Sequence, residues 1–186
     1  MMIYCIHDDG LDFQRLDLMI DDIIEARPND VSEDDVLDFC QANGGMAGWW
    51  PAPETSFIAE SGDESDPIPD ISKWIDASLV LSPKAHRLLG ALLEQWGELL
   101  PVIISSEKFY IFNCLTFSEV DLSLSEKEYF EGEEVGIRKI VFDETDVAEK
   151  LIFKTRFDSC VGIYCAERFK FLVEDLGLTG IEFTVV

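Results

Sequence analysis

Apolar and polar positions alternate with several different periods along this chain, and each change of period marks an element. Met2 to Ile6 is a short apolar run that predicts a buried strand, and Phe13 to Ile20 predicts a second element of either type. Ser32 can cap a helix: Asp34 and Asp35 occupy its first turn, where the helix dipole favours acids. Val36, Phe39 and Cys40 share one face, and Asn43-Gly44-Gly45 stops it. Thr55 to Ala59 predicts a short strand. Ser61 to Pro69, acidic and twice broken by proline, predicts an exposed loop.

The second half is more sharply patterned. Ser82-Pro83 pairs a capping hydroxyl with proline at the first helical position, and Ala85, Leu88, Leu89, Leu92, Leu93 and Trp96 recur at helical spacing, with Gly97 as the expected stop. Leu99 to Ser105 and Phe109 to Leu115 predict a hairpin turning at Ser106-Glu107-Lys108. Ile137 to Phe142, Lys150 to Thr155 and Val161 to Tyr164 predict further strands. Phe169, Leu172, Val173 and Leu176 predict a helix closed by Gly177, and Ile181, Phe183 and Val185 alternate with polar residues in a final strand. Strand runs with isolated helices and no regular βαβ alternation predict an α+β fold, a largely antiparallel sheet with a few packed amphipathic helices. At 186 residues, one domain over 1–186 is expected, with residues 1–67 as its acidic N-terminal part.

Charge changes this picture most. The first seventy residues hold 18 acids against Arg15 and Arg27, a net −16, and the remaining 116 hold 20 acids and 12 bases, a net −8. A folded chain that tolerates a total of −24 presents that field to something of opposite sign. A basic protein surface fits; nucleic acid and membrane would be repelled. No apolar run approaches the roughly 20 residues of a membrane span. The N-terminal residues lack a secretory pattern, so a cytoplasmic location is expected. The five cysteines, Cys5, Cys40, Cys114, Cys160 and Cys165, form no C-x-x-C pair and read as reduced, mostly packed thiols rather than a metal site.

Catalytic chemistry finds little footing. No phosphate-binding glycine loop is present, since Gly44 to Gly48 lacks the spacing and the lysine. His7, followed by Asp8-Asp9, is the main candidate base, but no serine or cysteine stands near it in a nucleophile motif. His86 reads as a surface or partly packed helix residue. Asp63, Glu64 and Asp66 lack the ligand spacing of a calcium loop. No catalytic residue, metal or cofactor is expected. Two acidic segments are candidate partner-binding sites: Asp63, Glu64, Asp66 and Asp70 in the first, and Glu126, Glu128, Glu131, Glu133 and Glu134 around Tyr129 and Phe130 in the second. Trp50 is a candidate aromatic anchor, though Trp49-Trp50 reads first as core.

A series of short motifs in the second half resembles a bacterial immunity-protein family of polymorphic toxin systems. The resemblance begins with Ile68-Pro69-Asp70-Ile71-Ser72-Lys73-Trp74, Ser78-Leu79-Val80-Leu81-Ser82 and Gly97-Glu98-Leu99-Leu100-Pro101-Val102. It continues through Tyr110-Ile111-Phe112-Asn113-Cys114, Val141-Phe142-Asp143-Glu144, Ile152-Phe153-Lys154-Thr155, Gly162-Ile163-Tyr164-Cys165 with Phe169, and Leu178-Thr179-Gly180-Ile181-Glu182-Phe183. It covers about residues 68–186, order and spacing included. It implies a non-enzymatic cytoplasmic protein that binds and neutralises a cognate secreted toxin, and it assigns no binding residues. The alternative expectation is an acidic nucleic-acid mimic or adaptor that binds basic proteins generally.

Overall fold

The computed structural model of the chain describes residues 2–9, 12–59 and 65–186. From the N-terminus run β1 (Ile3–Asp8), β2 (Arg15–Leu16), α1 (Ile20–Ala26), α2 (Glu33–Leu37), β3 (Glu54–Thr55), β4 (Phe57–Ile58), β5 (Ile71–Lys73) and β6 (Ser78–Leu81). There follow α3 (Pro83–Leu93), β7 (Gly97–Ile104), β8 (Glu107–Cys114), β9 (Glu126–Phe130), β10 (Glu133–Lys139), α4 (Glu144–Val147), β11 (Ile152–Phe153), β12 (Tyr164–Ala166), α5 (Glu167–Asp175) and β13 (Ile181–Val185).

Two sheets carry the fold. The larger has the order β3-β7-β8-β6-β5 and is antiparallel except where β3 lies parallel to β7. The smaller, β11-β12-β1-β13, is antiparallel throughout. The architecture is α+β with a mostly antiparallel sheet system. A single buried cluster takes Tyr4 and Ile6 of β1, Leu79 and Leu81 of β6, Leu89 and Leu93 of α3, Ile111 and Phe112 of β8, and Phe169 and Val173 of α5. A smaller cluster of Ile3, Ile140, Phe142, Val147, Phe153 and Tyr164 lies beside it. The N-terminal strand β1 is central in the smaller sheet, between β12 and β13, so the first residues complete a sheet whose other strands come from the last 35 or so positions.

Local chemistry explains the elements that the pattern predicts. Ser82 Oγ accepts from the Ala85 amide at 3.1 Å and Pro83 opens α3; its inward face, Ala85, Leu89 and Leu93, is wholly buried. Other details differ from expectation. The β7–β8 turn falls at Ser105-Ser106, both at positive φ (50° and 68°), because a two-residue turn of this hand matches the twist of paired strands. Gly97 opens β7 instead of capping α3: a Cβ there would sit 2.1 Å from the Asn113 carbonyl oxygen, so the close strand crossing demands glycine. The helix predicted from Ser32 has its cap, accepting from the Asp35 amide, but is only five residues long before turns take over. Helix α1 begins after Met19, whose amide donates to the Asp22 carboxylate; with no capping side chain at Met19, the sequence carries little start signal. Among the described residues, no helix is long and apolar enough to cross a membrane.

Candidate partner-binding site

The acidic segment Glu126 to Glu134 is not a loop. It forms most of a two-stranded ribbon in which, among the described residues, β9 and β10 pair only with each other. Its turn is Glu131-Gly132, at φ 52° and 93°, the left-handed pair that a two-residue hairpin requires. A Cβ added at Gly132 or Gly136 would meet nothing within 4 Å, which shows how bare this end of the ribbon is. Two register shifts leave Val135 and Arg138 as bulged residues. Bulges twist a ribbon and spoil its edge as a template for another chain's strand. The ribbon's base is held at Ile137, which packs on the smaller core cluster, and at Lys127, whose ammonium lies 5.3 Å above the Phe157 ring.

The outer end is apolar as well as acidic. Tyr129 is 60% exposed, Phe130 67% and Val135 58%, far more than large apolar side chains retain in a sealed surface. Successive residues of a strand point to opposite faces, so Tyr129 and Phe130 give the ribbon one aromatic ring on each side. The turn leading into β9 adds Leu122, 74% exposed, and Leu124. Lys127 pairs with Glu134 at 2.7 Å, and Arg138 approaches Glu128 at 3.9 Å. No salt bridge among the described residues reaches Glu126, Glu131 or Glu133. A twisted ribbon, acidic along its edges and aromatic on both faces, has the form of a wedge suited to a cleft rather than to a flat surface.

The other predicted residues lie elsewhere. Asp63 and Glu64 fall outside the described residues. Asp66 is half-buried, and its carbonyl accepts from the Gln14 side chain at 2.7 Å. Asp70 is a fold staple, not a free contact: its carboxylate accepts from Lys84 Nζ (2.7 Å), Ser82 Oγ (3.2 Å), and the Thr179 amide and hydroxyl (3.2 and 3.3 Å). Those bonds join β5 to the start of α3 and to the approach of β13. Trp50 is not a surface anchor either. Its indole N–H donates to the Pro101 carbonyl (2.8 Å), and its ring packs between Trp49 and Trp74, with centroids 6.4 and 6.1 Å away. The structure thus separates the two acidic segments: the second stands as a ribbon, while the described part of the first is used to tie the fold. Leu122, Leu124 and Val135 were not singled out by sequence reasoning. A Glu-Gly pair followed by Glu-Glu-Val was the available hairpin signal, obscured by the density of charge.

Among the described residues, no enzyme-like grouping assembles around the histidines. His86 stacks on Tyr110 at 3.7 Å between α3 and β8, a packing role. His7 is exposed at the end of β1, opposite Glu182 of β13. With Cys5 and Tyr164 it lines a groove of about 370 Å³ between the ends of β10 and β13. Burial pushes the Cys5 thiol up, the wrong direction for a nucleophile, and its hydrogen bond goes to the Ile6 carbonyl instead of to His7. Among the described residues, no group of three or more His, Cys, Asp or Glu is arranged to hold a metal. No family model matches this chain, and no curated protein does.

Proposed function

We propose that this protein is an immunity protein: it binds a secreted bacterial toxin made by the same cell and neutralises it by direct occlusion. The β9–β10 ribbon enters a basic cleft on the toxin domain, with Tyr129 and Phe130 as anchors on its two faces. The single observation that carries this reading is the ribbon, acidic and bearing two bare aromatic rings, paired to no other strand among the described residues. Exposed aromatics are costly on a free surface and are enriched among the few residues that dominate binding energy. The surrounding charge of −24 raises the encounter rate with a basic partner, toward about 10⁸ M⁻¹s⁻¹ at low salt from roughly 10⁵–10⁶ without steering. The ordered motifs over residues 68–186 add the toxin–immunity context, and cytoplasmic action follows from it.

The test is co-expression with the protein encoded by the neighbouring reading frame. A stoichiometric complex on size exclusion and survival of cells producing that toxin are expected. Replacing 128–136 by a two-residue turn should abolish both while the remaining body stays folded. Full protection by that shortened chain sinks the proposal. Salt-labile binding to many unrelated basic proteins, with no preference for the neighbour, assigns the protein instead to the mimic or adaptor class.

A further inference from the structure

Lys154 is wholly buried, yet no carboxylate lies within bridging distance of its ammonium among the described residues. A buried unpaired cation is expensive, so its surroundings must supply negative charge or dipoles. The direct contacts come from one residue and one ring, with the Asp76 carboxylate acting at longer range. Nζ donates to the Cys40 carbonyl at 2.7 Å, lies 3.6 Å from Cys40 Sγ, and sits 4.9 Å over the Phe117 ring. Cys40 in turn donates its Sγ–H to the carbonyl oxygen of Cys160, a residue 120 positions along the chain, at 3.5 Å.

The local fold brings the Cys40 sulfur against Cys160. Cys40 lies within the turn segment after α2, beside the exposed Gln41. Cys160 is the inward residue of a surface loop, with exposed Ser159 and Val161 on either side. Asp158 builds that loop by accepting from the Cys160 amide (3.0 Å), the Gly162 amide (2.9 Å) and the Tyr164 hydroxyl (2.7 Å), while Ser159 and Cys160 both take positive φ. Each thiol therefore lies one layer below solvent, in turn structure and not in a sheet. The remaining pair of fully buried thiols, Cys114 and Cys165, sit in β8 and β12.

We propose that Cys40 and Cys160 are a peroxide-responsive dithiol in which Lys154 holds Cys40 as the attacking thiolate. The adjacent Cys160 side chain, together with the Lys154 charge and the Ala77 backbone, lowers Cys40 to about 7 against desolvation and the opposing Asp76 carboxylate. Cys160, wholly buried beside Cys40, is raised by that neighbour and by desolvation, with Lys154 opposing and Asp158 adding to the rise. The oxidant is a hydroperoxide. Cys40 sulfur attacks the peroxide oxygen, an S–O bond forms and the O–O bond breaks, and the departing hydroxide is protonated to water. Cys160 sulfur then attacks the Cys40 sulfenic sulfur: the S–S bond forms, the S–O bond breaks, and the Cys160 proton leaves with hydroxide as a second water. Two thiols lose two electrons and one peroxide gains them. The resulting bridge would tie the segment after α2 to the 156–162 loop, closing a very long loop of chain. This inference does not rest on the binding role.

The experiment uses the full chain, reduced and then exposed to hydrogen peroxide at pH 7, followed by intact mass and non-reducing peptide mapping. A loss of about 2 Da and a peptide pair joining Cys40 to Cys160 are expected, with Cys114 and Cys165 still alkylatable after unfolding. The Cys160→Ser chain should stop at a Cys40 sulfenic acid that a dimedone reagent captures. The pH profile of Cys40 alkylation in the unmutated protein should turn near 7. It should move upward in Lys154→Met, with oxidation at pH 7 slowed about fivefold once the lower nucleophilicity of a low-pKa thiolate is included. Oxidation that leaves all five thiols free, that falls on Cys5 alone, or that proceeds unchanged in Cys40→Ser overturns the proposal. An alkylation profile for Cys40 turning above pH 8.5 removes Lys154 from it.

Discussion

Replacing Phe130 by serine at the outer end of the ribbon is the most direct probe of the proposed binding mode. A buried aromatic removes about 150–250 Å² from water. Phe130 is 67% exposed in the free protein, so a partner can still cover about 100–170 Å² of it. At 25 cal/mol per Å² that is worth about 2.5–4 kcal/mol, an upper bound because ordering the arm in the complex subtracts from it. A loss of about 2 kcal/mol, roughly 30-fold in affinity, is expected from this one change. Tyr129→Ser, on the other face, should cost a similar amount, and the double variant at least about 100-fold, with coupling because both rings enter one cleft. The free protein should hardly notice. A ring this exposed holds little of the fold, so stability should change by less than about 0.5 kcal/mol. Titration calorimetry against the purified toxin domain measures the first quantity and thermal melts the second. Equal affinity for wild type and double variant, with unchanged melts, refutes the wedge. Weakened binding accompanied by a lowered melting temperature would refute the claim that the rings are unused by the fold.

Changing Glu126, Glu131 and Glu133 together to glutamine should lower the association rate about tenfold at low salt, with little effect on dissociation; stopped-flow traces at rising salt should converge as the Debye length falls to about 3 Å at 1 M. Gly180→Ala should prevent stable folding, since its φ is +103° and the new Cβ would lie 2.3 Å from the Ile71 carbonyl oxygen and from Pro69 Cβ. Gly132→Ala, at φ +93° in open space, should cost only about 1 kcal/mol in a denaturant titration. Burial raises Asp158 and Asp76, so each binds its proton more tightly in the folded state. Their contribution is therefore unfavourable at neutral pH and is relieved as pH falls from above their raised values toward the unfolded value of 3.8. Relief of the −24 self-repulsion acts in the same direction. Asp121 and Asp143 are held low by the Ser123 and Thr145 hydroxyls and amides, so their stabilisation is present above 3.8 and lost as pH falls through their own lower values. Melting temperature should thus rise on mild acidification from pH 7 and collapse only below about 4, as scanning calorimetry across pH would show.

What the sequence determined by itself was everything local. Ser82-Pro83 and the spacing of Ala85, Leu89 and Leu93 announced α3; Gly177 and the stripe of Phe169, Leu172, Val173 and Leu176 announced α5; alternation announced β13, and apolar runs about a short polar turn announced most of β7 and β8. Caps, turn residues and one-sided burial act within a few positions and leave a periodic trace. The tertiary structure alone decided three things. It placed β1 between two C-terminal strands, because long-range pairing has no signature in the strand's own residues. It raised Glu126 to Lys139 into a ribbon whose outer end meets solvent on both faces, so no apolar period marked that end. It bonded Asp70 into the fold and gave Trp50 and Lys154 their partners, since groups more than a hundred positions apart, as Lys154 and Cys40 are, meet only when the core closes around them.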